Sequence, residues 1–340
     1  MTLAGTGEMD SLYYSYQYSR LYCLKPVGVG TPVVESLSSY IARLAEAHSV
    51  NVGALITKEV CTNFTQKTFF DGVKKINGFS LVCLEVTQAL ESLTLRNDLK
   101  LLSMYMWQNV FANRGMLRDS LAWCPDCYIE MFLGNKTIYN PLIWHFEAVV
   151  LCLRHMKPLI SQCPNCGSSV KVLGGCKVGF CTKCNVFLGR VCEDTYNTFS
   201  EYDIFATRNI EQLLGETPEK PVLPIYLHSN LSNIIEHMSL AEIPKIINVD
   251  VRTLKDWKSG LCLPTLNLLL KFCYSIQSTL KEVLSADVLI SEKLKVVPLK
   301  GSNKNSALNK IDVENYLRNI LENGKVLSRT DLEKALGCNY

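Results

Sequence analysis

The sequence has no run approaching the roughly 18 uninterrupted apolar residues that a membrane-spanning helix needs, which argues against a membrane protein. Its start, Met1-Thr2-Leu3-Ala4-Gly5-Thr6-Gly7-Glu8, has neither the basic nor the apolar segment of a secretory signal. The expectation is a cytoplasmic chain whose thiols stay reduced. Excess charge of one sign is nearly absent: 35 Lys and Arg against 32 Asp and Glu leave +3, so any nucleic-acid contact must come from a local patch. Common enzyme signatures are missing as well. There is no H-E-x-x-H and no G-x-S-x-G, and Gly28-Val29-Gly30-Thr31 lacks the lysine of a phosphate loop. With 48% hydrophobic and 20% charged residues over 340 positions, the chain has the composition of two or three globular units.

What the sequence does have is cysteine, 15 in all, nine of them between Cys124 and Cys192. Cys124-Pro125-Asp126-Cys127 and Cys152-Leu153-Arg154-His155 are knuckle-type pairs whose two-residue spacers let both side chains converge on one ion, together making Cys₃His. Cys163-Pro164-Asn165-Cys166 and Cys181-Thr182-Lys183-Cys184 make Cys₄, with a 14-residue separation just short of the usual ribbon spacing. Each set fills the tetrahedral shell of Zn²⁺ and leaves no position for a water, so two structural zinc ions are expected. Spacing alone also permits interleaved ligation, with Cys124 and Cys127 joined to Cys163 and Cys166. Cys176 and Cys192 are spare, and Cys23, Cys61, Cys83, Cys262 and Cys273 read as buried free thiols. His145-Phe146-Glu147 followed by Cys163-x-x-Cys166 imitates the H-x-E and C-x-x-C of zinc deaminases. Gln162 stands where that signature wants proline, and the borrowed pair would strand Cys181 and Cys184.

The fold expected is mainly α, with a helical N-terminal domain, a double zinc-ribbon or zinc-finger module and a C-terminal helix-turn-helix domain. A tyrosine-rich arm (1–22, with Tyr13, Tyr14, Tyr16, Tyr18 and Tyr22) precedes a helical region (23–118), where Leu37, Tyr40, Ile41, Leu44 and Ala45 form an amphipathic stripe. Helical patterning continues to about Met116. A zinc-binding module (119–195), a connector (196–238), the helix-turn-helix (239–290), a linker (291–309) and C-terminal helices (310–340) follow. In the last of these, Ser328 to Gly337 reads like the start of a second such motif.

In the helix-turn-helix block, Ser239-Leu240-Ala241-Glu242 is a capping box for a first helix, and Asn248 can adopt the left-handed turn. Asp250 can cap a second helix over Val251 to Lys258, with Val251, Leu254 and Trp257 on the core face, and Ser259-Gly260 ends it. Arg252 and Thr253 are then candidates for base contacts in duplex DNA, and Lys255 and Lys258 for phosphates. The block resembles the Cro/repressor helix-turn-helix, from which Pro244 departs by removing an interior hydrogen bond.

The order of parts from about residue 23 to 190 resembles the TniQ/TnsD family of transposon target-selection proteins. Glu35-Ser36-Leu37-Ser38-Ser39-Tyr40-Ile41-Ala42-Arg43-Leu44-Ala45 looks like its opening helix, and Leu121-Ala122-Trp123-Cys124-Pro125-Asp126-Cys127 like its first zinc knuckle. Trp144, Cys152-x-x-His155, Leu159 and Cys163-Pro164-x-Cys166 follow in the family's order. The resemblance implies a non-enzymatic adaptor that marks an insertion site in double-stranded DNA and recruits an AAA+ ATPase regulator, which brings the transposase. Long members read an attachment site directly, whereas shorter ones join a Cascade complex with guide RNA, often as a homodimer. The runner-up is a zinc-containing DNA-binding transcriptional regulator, which would need no ATPase.

Overall fold

The computed structural model describes residues 18–60, 75–174, 177–190, 198–237 and 247–285. Tyr13, Tyr14 and Tyr16 of the expected arm, Cys61, Cys176 and Cys192, the expected first helix from Ser239 to Ile246, the linker at 291–309 and the helices at 310–340 lie outside these. Backbone contacts divide the chain into a unit over 1–297 and a second over 298–340, the latter wholly outside the described residues.

The apolar stripe at 37–45 becomes helix α1, Leu37–Ala47, capped by Ser36, whose hydroxyl accepts from Ser39 N. All five stripe residues are buried. A short helix α2 (Val52–Leu55) runs into a single π turn at Ile56–Val60. Helix α3 (Leu81–Thr94) is capped by Ser80 and buries Cys83, Val86 and Leu90. Helical structure then shrinks to two 3₁₀ turns, Leu99–Leu102 and Met104–Trp107. The expectation of helix as far as Met116 is corrected there. Val110, Phe111 and Met116 are buried without helical periodicity, because Asn113-Arg114-Gly115 turns the chain, Gly115 taking φ +65°.

The cysteine-rich stretch contributes helix α4 (Pro125–Leu133), which starts on Pro125 directly after Cys124. Around it lie two antiparallel ladders: β1 (Ser120–Leu121) with β4 (Val170–Lys171), and β2 (Leu151–Cys152) with β3 (Lys157–Pro158). The segment expected as a connector contains helices α5 (Glu201–Gly215) and α6 (Ile225–His237). Helices α7 (Val251–Ser259), α8 (Leu266–Ser275) and α9 (Leu280–Leu284) complete the described chain. Buried side chains from Leu21 to Leu284 form one continuous cluster, so the N-terminal helices, the cysteine-rich stretch and the later helices share a core. Among the described residues no helix is long and apolar enough to cross a membrane.

Polar side chains inside this core fix where α1 sits. Ser36 N donates to Asn140 O at 3.0 Å, Asn140 N to Ser39 Oγ at 2.9 Å, and Ser38 N to Asn77 Oδ1 at 2.9 Å. Glu35, fully buried, pairs with Arg43 and accepts from Ser39 Oγ and Val27 N. Burial holds its carboxyl above the usual carboxylate range, with Arg43 pulling the other way. The start of α1 is thereby tied to the segment at 140–142, which lies between the second and third ligand positions of the first cysteine set.

Candidate metal centres and a candidate nucleic-acid face

The donor atoms of Cys124, Cys127, Cys152 and His155 lie within 4.8 Å of one another, and so do those of Cys163, Cys166, Cys181 and Cys184. The structure therefore selects sequential ligation, and the interleaved pairing does not form. Zinc–sulfur bonds of about 2.3 Å and zinc–nitrogen bonds of about 2.0 Å put the edges of a tetrahedron at ~3.8 Å for S···S and ~3.5 Å for S···N. Cys127 to Cys152 is 3.7 Å, Cys163 to Cys184 is 3.6 Å and Cys166 to Cys181 is 3.7 Å. His155 turns Nδ1 to its three sulfurs, at 3.4 Å from Cys124, 3.3 Å from Cys127 and 3.6 Å from Cys152. Both sets have the size of a tetrahedral zinc shell. Crowded thiols oppose one another's ionisation, and Cys127 is driven above the ordinary thiol range by Cys124 and then Cys152. A dication is the partner that lets all three carry charge together.

Local backbone geometry explains why these pairs converge. In three of the four, the residue after the second ligand is left-handed: Met156 at φ +49°, Gly167 at +66° and Asn185 at +55°. Within the second set the two knuckles are bonded alike. Gly167 N donates to Cys163 O and Asn185 N to Cys181 O, at 2.8 and 3.0 Å. The remaining pair is built differently, since Cys124 caps α4 and Cys127 lies in its first turn.

Glu130 is a functional residue that the sequence reading missed. Its Oε1 lies 2.9 Å from His155 Nε2, and its Oε2 lies 2.8 Å from Arg154. A carboxylate behind a ligating imidazole fixes its tautomer and orientation. Once α4 is known to begin at Pro125, Glu130 falls one turn beyond Cys127, a signal that was present but depended on the helix start. Trp123, quoted from the sequence as part of the first knuckle, is fully buried, exchanges backbone hydrogen bonds with Ile160, and donates its indole Nε1 to Leu188 O.

The deaminase-like His145-Phe146-Glu147 belongs to neither donor set. His145 ends a 3₁₀ turn, Leu142–His145, and is buried. Burial and then Arg118 hold its imidazole down to about 3. Of the cysteines expected to be buried and free, Cys83 and Cys273 are, but Cys23 and Cys262 are exposed. Cys262 sits in the turn after Gly260, where no helix face covers it.

Helix α7 starts at Val251, as read from the sequence, and runs one residue further than expected, to Ser259. Asp250 caps it, accepting from Arg252 N at 2.7 Å, and Gly260 ends it at φ +72° with its α-carbon facing the His228 ring. Asn248 is left-handed, at φ +54°. The core face is narrower than expected. Leu254 and Trp257 are buried, but Val251, the first helical residue, is 38% exposed. Arg252 and Lys255 are exposed, and no side-chain hydrogen bond or ion pair engages either among the described residues. Thr253 is half-buried. Lys258 differs from expectation in already having a counter-ion: its Nζ lies 2.6 Å from Glu236 on α6.

No curated protein matches the chain in sequence. The family model TniQ matches residues 26–159, a span that starts just before α1 and closes just after the complete Cys₃His set. Over residues 26–159 the chain is therefore similar to the TniQ domain.

Proposed function

We propose that the chain is a non-enzymatic target-selection adaptor for DNA transposition, holding two structural zinc ions and linking a DNA site to an AAA+ ATPase and its transposase. The observation that carries this reading is the TniQ match, because a TniQ domain supports a role in transposition target selection. Two closed four-donor sets agree with a scaffold, since they leave no coordination position for a reacting water. In this reading Cys124, Cys127, Cys152 and His155 hold one zinc and Cys163, Cys166, Cys181 and Cys184 the other. The metal supplies folding energy and no reaction step.

Direct contact with duplex DNA is the part played by α7. Its apolar side is covered by Leu254 and Trp257, while Arg252 and Lys255 remain exposed and unpaired among the described residues. Arg252 and Thr253 serve as base contacts, Lys255 as a phosphate contact, and Lys258, held by Glu236, contributes least. Recruitment through a Cascade complex with guide RNA, by a dimeric chain, is the other route to a site.

The test is reconstitution with an AAA+ transposition ATPase and its transposase. Tagged chain should recover the ATPase, and insertions should lose their preferred site when the chain is omitted. Recovery of neither ATPase nor Cascade, with insertion unchanged on omission, would overturn the adaptor reading in favour of a free-standing DNA-binding regulator.

A further inference from the structure

Helix α7 offers few cations, so a duplex held by it alone would be held weakly near 0.15 M salt. A nine-residue helix is about 13 Å long, close to the roughly 12 Å width of the major groove. If the start of α7 meets base edges, its far end and the loop after it come out at the groove wall, where the phosphates run.

That loop has a specific neighbour in the TniQ-matching region. Ala112 N donates to Pro264 O at 2.9 Å, Ala112 bridges Thr265, and Asn267 Nδ2 donates to Gly115 O at 2.9 Å. Arg114 sits between these two points of attachment. It is exposed, and no hydrogen bond or ion pair holds it among the described residues. It opens onto a groove of about 700 Å³, lined also by Lys75, Arg118, Ser161, Asp119 and Glu147. Arg118 is turned inward: its guanidinium donates to the carbonyls of Glu147 and Val149 and lies 3.8 Å from the Glu147 carboxylate. Its Nε is buried with no hydrogen-bond partner. Arg118 is thus engaged within the fold, which leaves Arg114 and Lys75 as the cations that line the groove.

We propose that Arg114, with Lys75 beside it, binds the phosphate backbone of the same duplex that α7 contacts, so that the TniQ-matching region itself forms part of the DNA-binding surface. The inference rests on the reading of α7 given above. It requires two surfaces at a fixed separation, which the Ala112–Pro264 and Asn267–Gly115 hydrogen bonds supply. Backbone contacts carry no sequence information, so the groove would add affinity and salt sensitivity while α7 supplies preference.

Fluorescence anisotropy titration of the full chain against duplex DNA, at several salt concentrations, tests this with Arg114→Ala, Arg252→Ala and the double variant. Because Arg114 is exposed and unpaired, Arg114→Ala should melt like the wild type. It should reduce the salt slope by about 0.9 and weaken binding by roughly three- to tenfold near 0.1 M salt, equally for all sequences. Arg252→Ala should instead change the preference among sequences, and the double variant should show both losses. Wild-type affinity and slope in Arg114→Ala, with Arg252→Ala still impaired, would overturn the groove and leave the α7 reading standing. A loss in Arg114→Ala alone would separate the groove from α7, and a loss only for single-stranded RNA would assign it to another nucleic acid; either overturns the proposal as stated.

Discussion

The indole nitrogen of Trp123 donates to the carbonyl of Leu188 at 3.1 Å. That bond joins the residue before the first ligand of the Cys₃His set to the chain just past the last ligand of the Cys₄ set. Replacing the indole in Trp123→Phe keeps much of the apolar volume but leaves a carbonyl without its donor. A loss of about 1–3 kcal/mol is expected. Thermal or urea unfolding checks it, and a midpoint equal to the wild type would mean that the two sets are held together by other contacts.

Each cluster should bind one metal independently of the other. Elemental analysis of the folded chain should return close to two zinc per molecule, and Cys127→Ser or Cys166→Ser should return close to one or fail to fold. The second outcome is reasonable, since a structural zinc contributes on the order of 10 kcal/mol. Folded wild-type protein with less than about one zinc per chain would refute the assignment.

Glu130→Gln should weaken the Cys₃His site alone. The variant removes the carboxylate behind His155 Nε2 while leaving all four donors in place. Metal affinity should fall by roughly 10- to 100-fold. Competition against a chromophoric chelator would show one of two zinc ions released earlier than in the wild type, and unchanged release of both would contradict a positioning role.

Removing the buried carboxylate in Glu35→Gln should cost about 3–5 kcal/mol, because Arg43, itself only 13% exposed, is left without its counter-charge. Arg43→Met in the same background should recover part of that loss. If the double variant is no more stable than Glu35→Gln, the ion pair is not what the carboxylate contributes.

His145 makes stability pH-dependent. Its imidazole is held near 3 in the folded chain and titrates near 6.5 when unfolded, so between these values the unfolded state binds the extra proton. Stability is full above about pH 6.5 and is lost as pH falls toward 3, with a slope approaching about 1.4 kcal/mol per pH unit. Since acid also attacks the cysteine clusters, the comparison is with His145→Leu. The stability of the wild type relative to that variant should decline from pH 7 to 5, and a flat difference would exclude the imidazole as the cause.

Features written in neighbouring residues were legible from the sequence. The α1 stripe, the cap and stop of α7, and all eight metal donors are local patterns of spacing or residue type. Features that depend on distant partners were not. Nothing near Ser39 announces Asn140, 101 residues away, and nothing near Ser38 announces Asn77. The serines of the opening motif are internal ties to these distant partners. Lys258 read as a free cation because Glu236 lies on another helix, and Val251 read as core because periodicity alone does not say how far burial reaches along a helix face. Helix to Met116 was overestimated since Val110, Phe111 and Met116 are apolar for burial in irregular chain, which carries no period of its own.

The attachment of the 112–115 turn to the start of α8 limits how the chain can be divided or recombined. Val222 N also donates to Met106 O at 2.9 Å, so residues past 200 are stitched to the TniQ-matching region at two separate places. A fragment ending near residue 195 would lose the partners of Met106, Ala112 and Gly115 and bare apolar surface that α5 to α8 now cover. Exchanging the C-terminal helices between relatives, as a way of redirecting them to new sites, would therefore have to carry the stretch from Met104 to Met116 along with them.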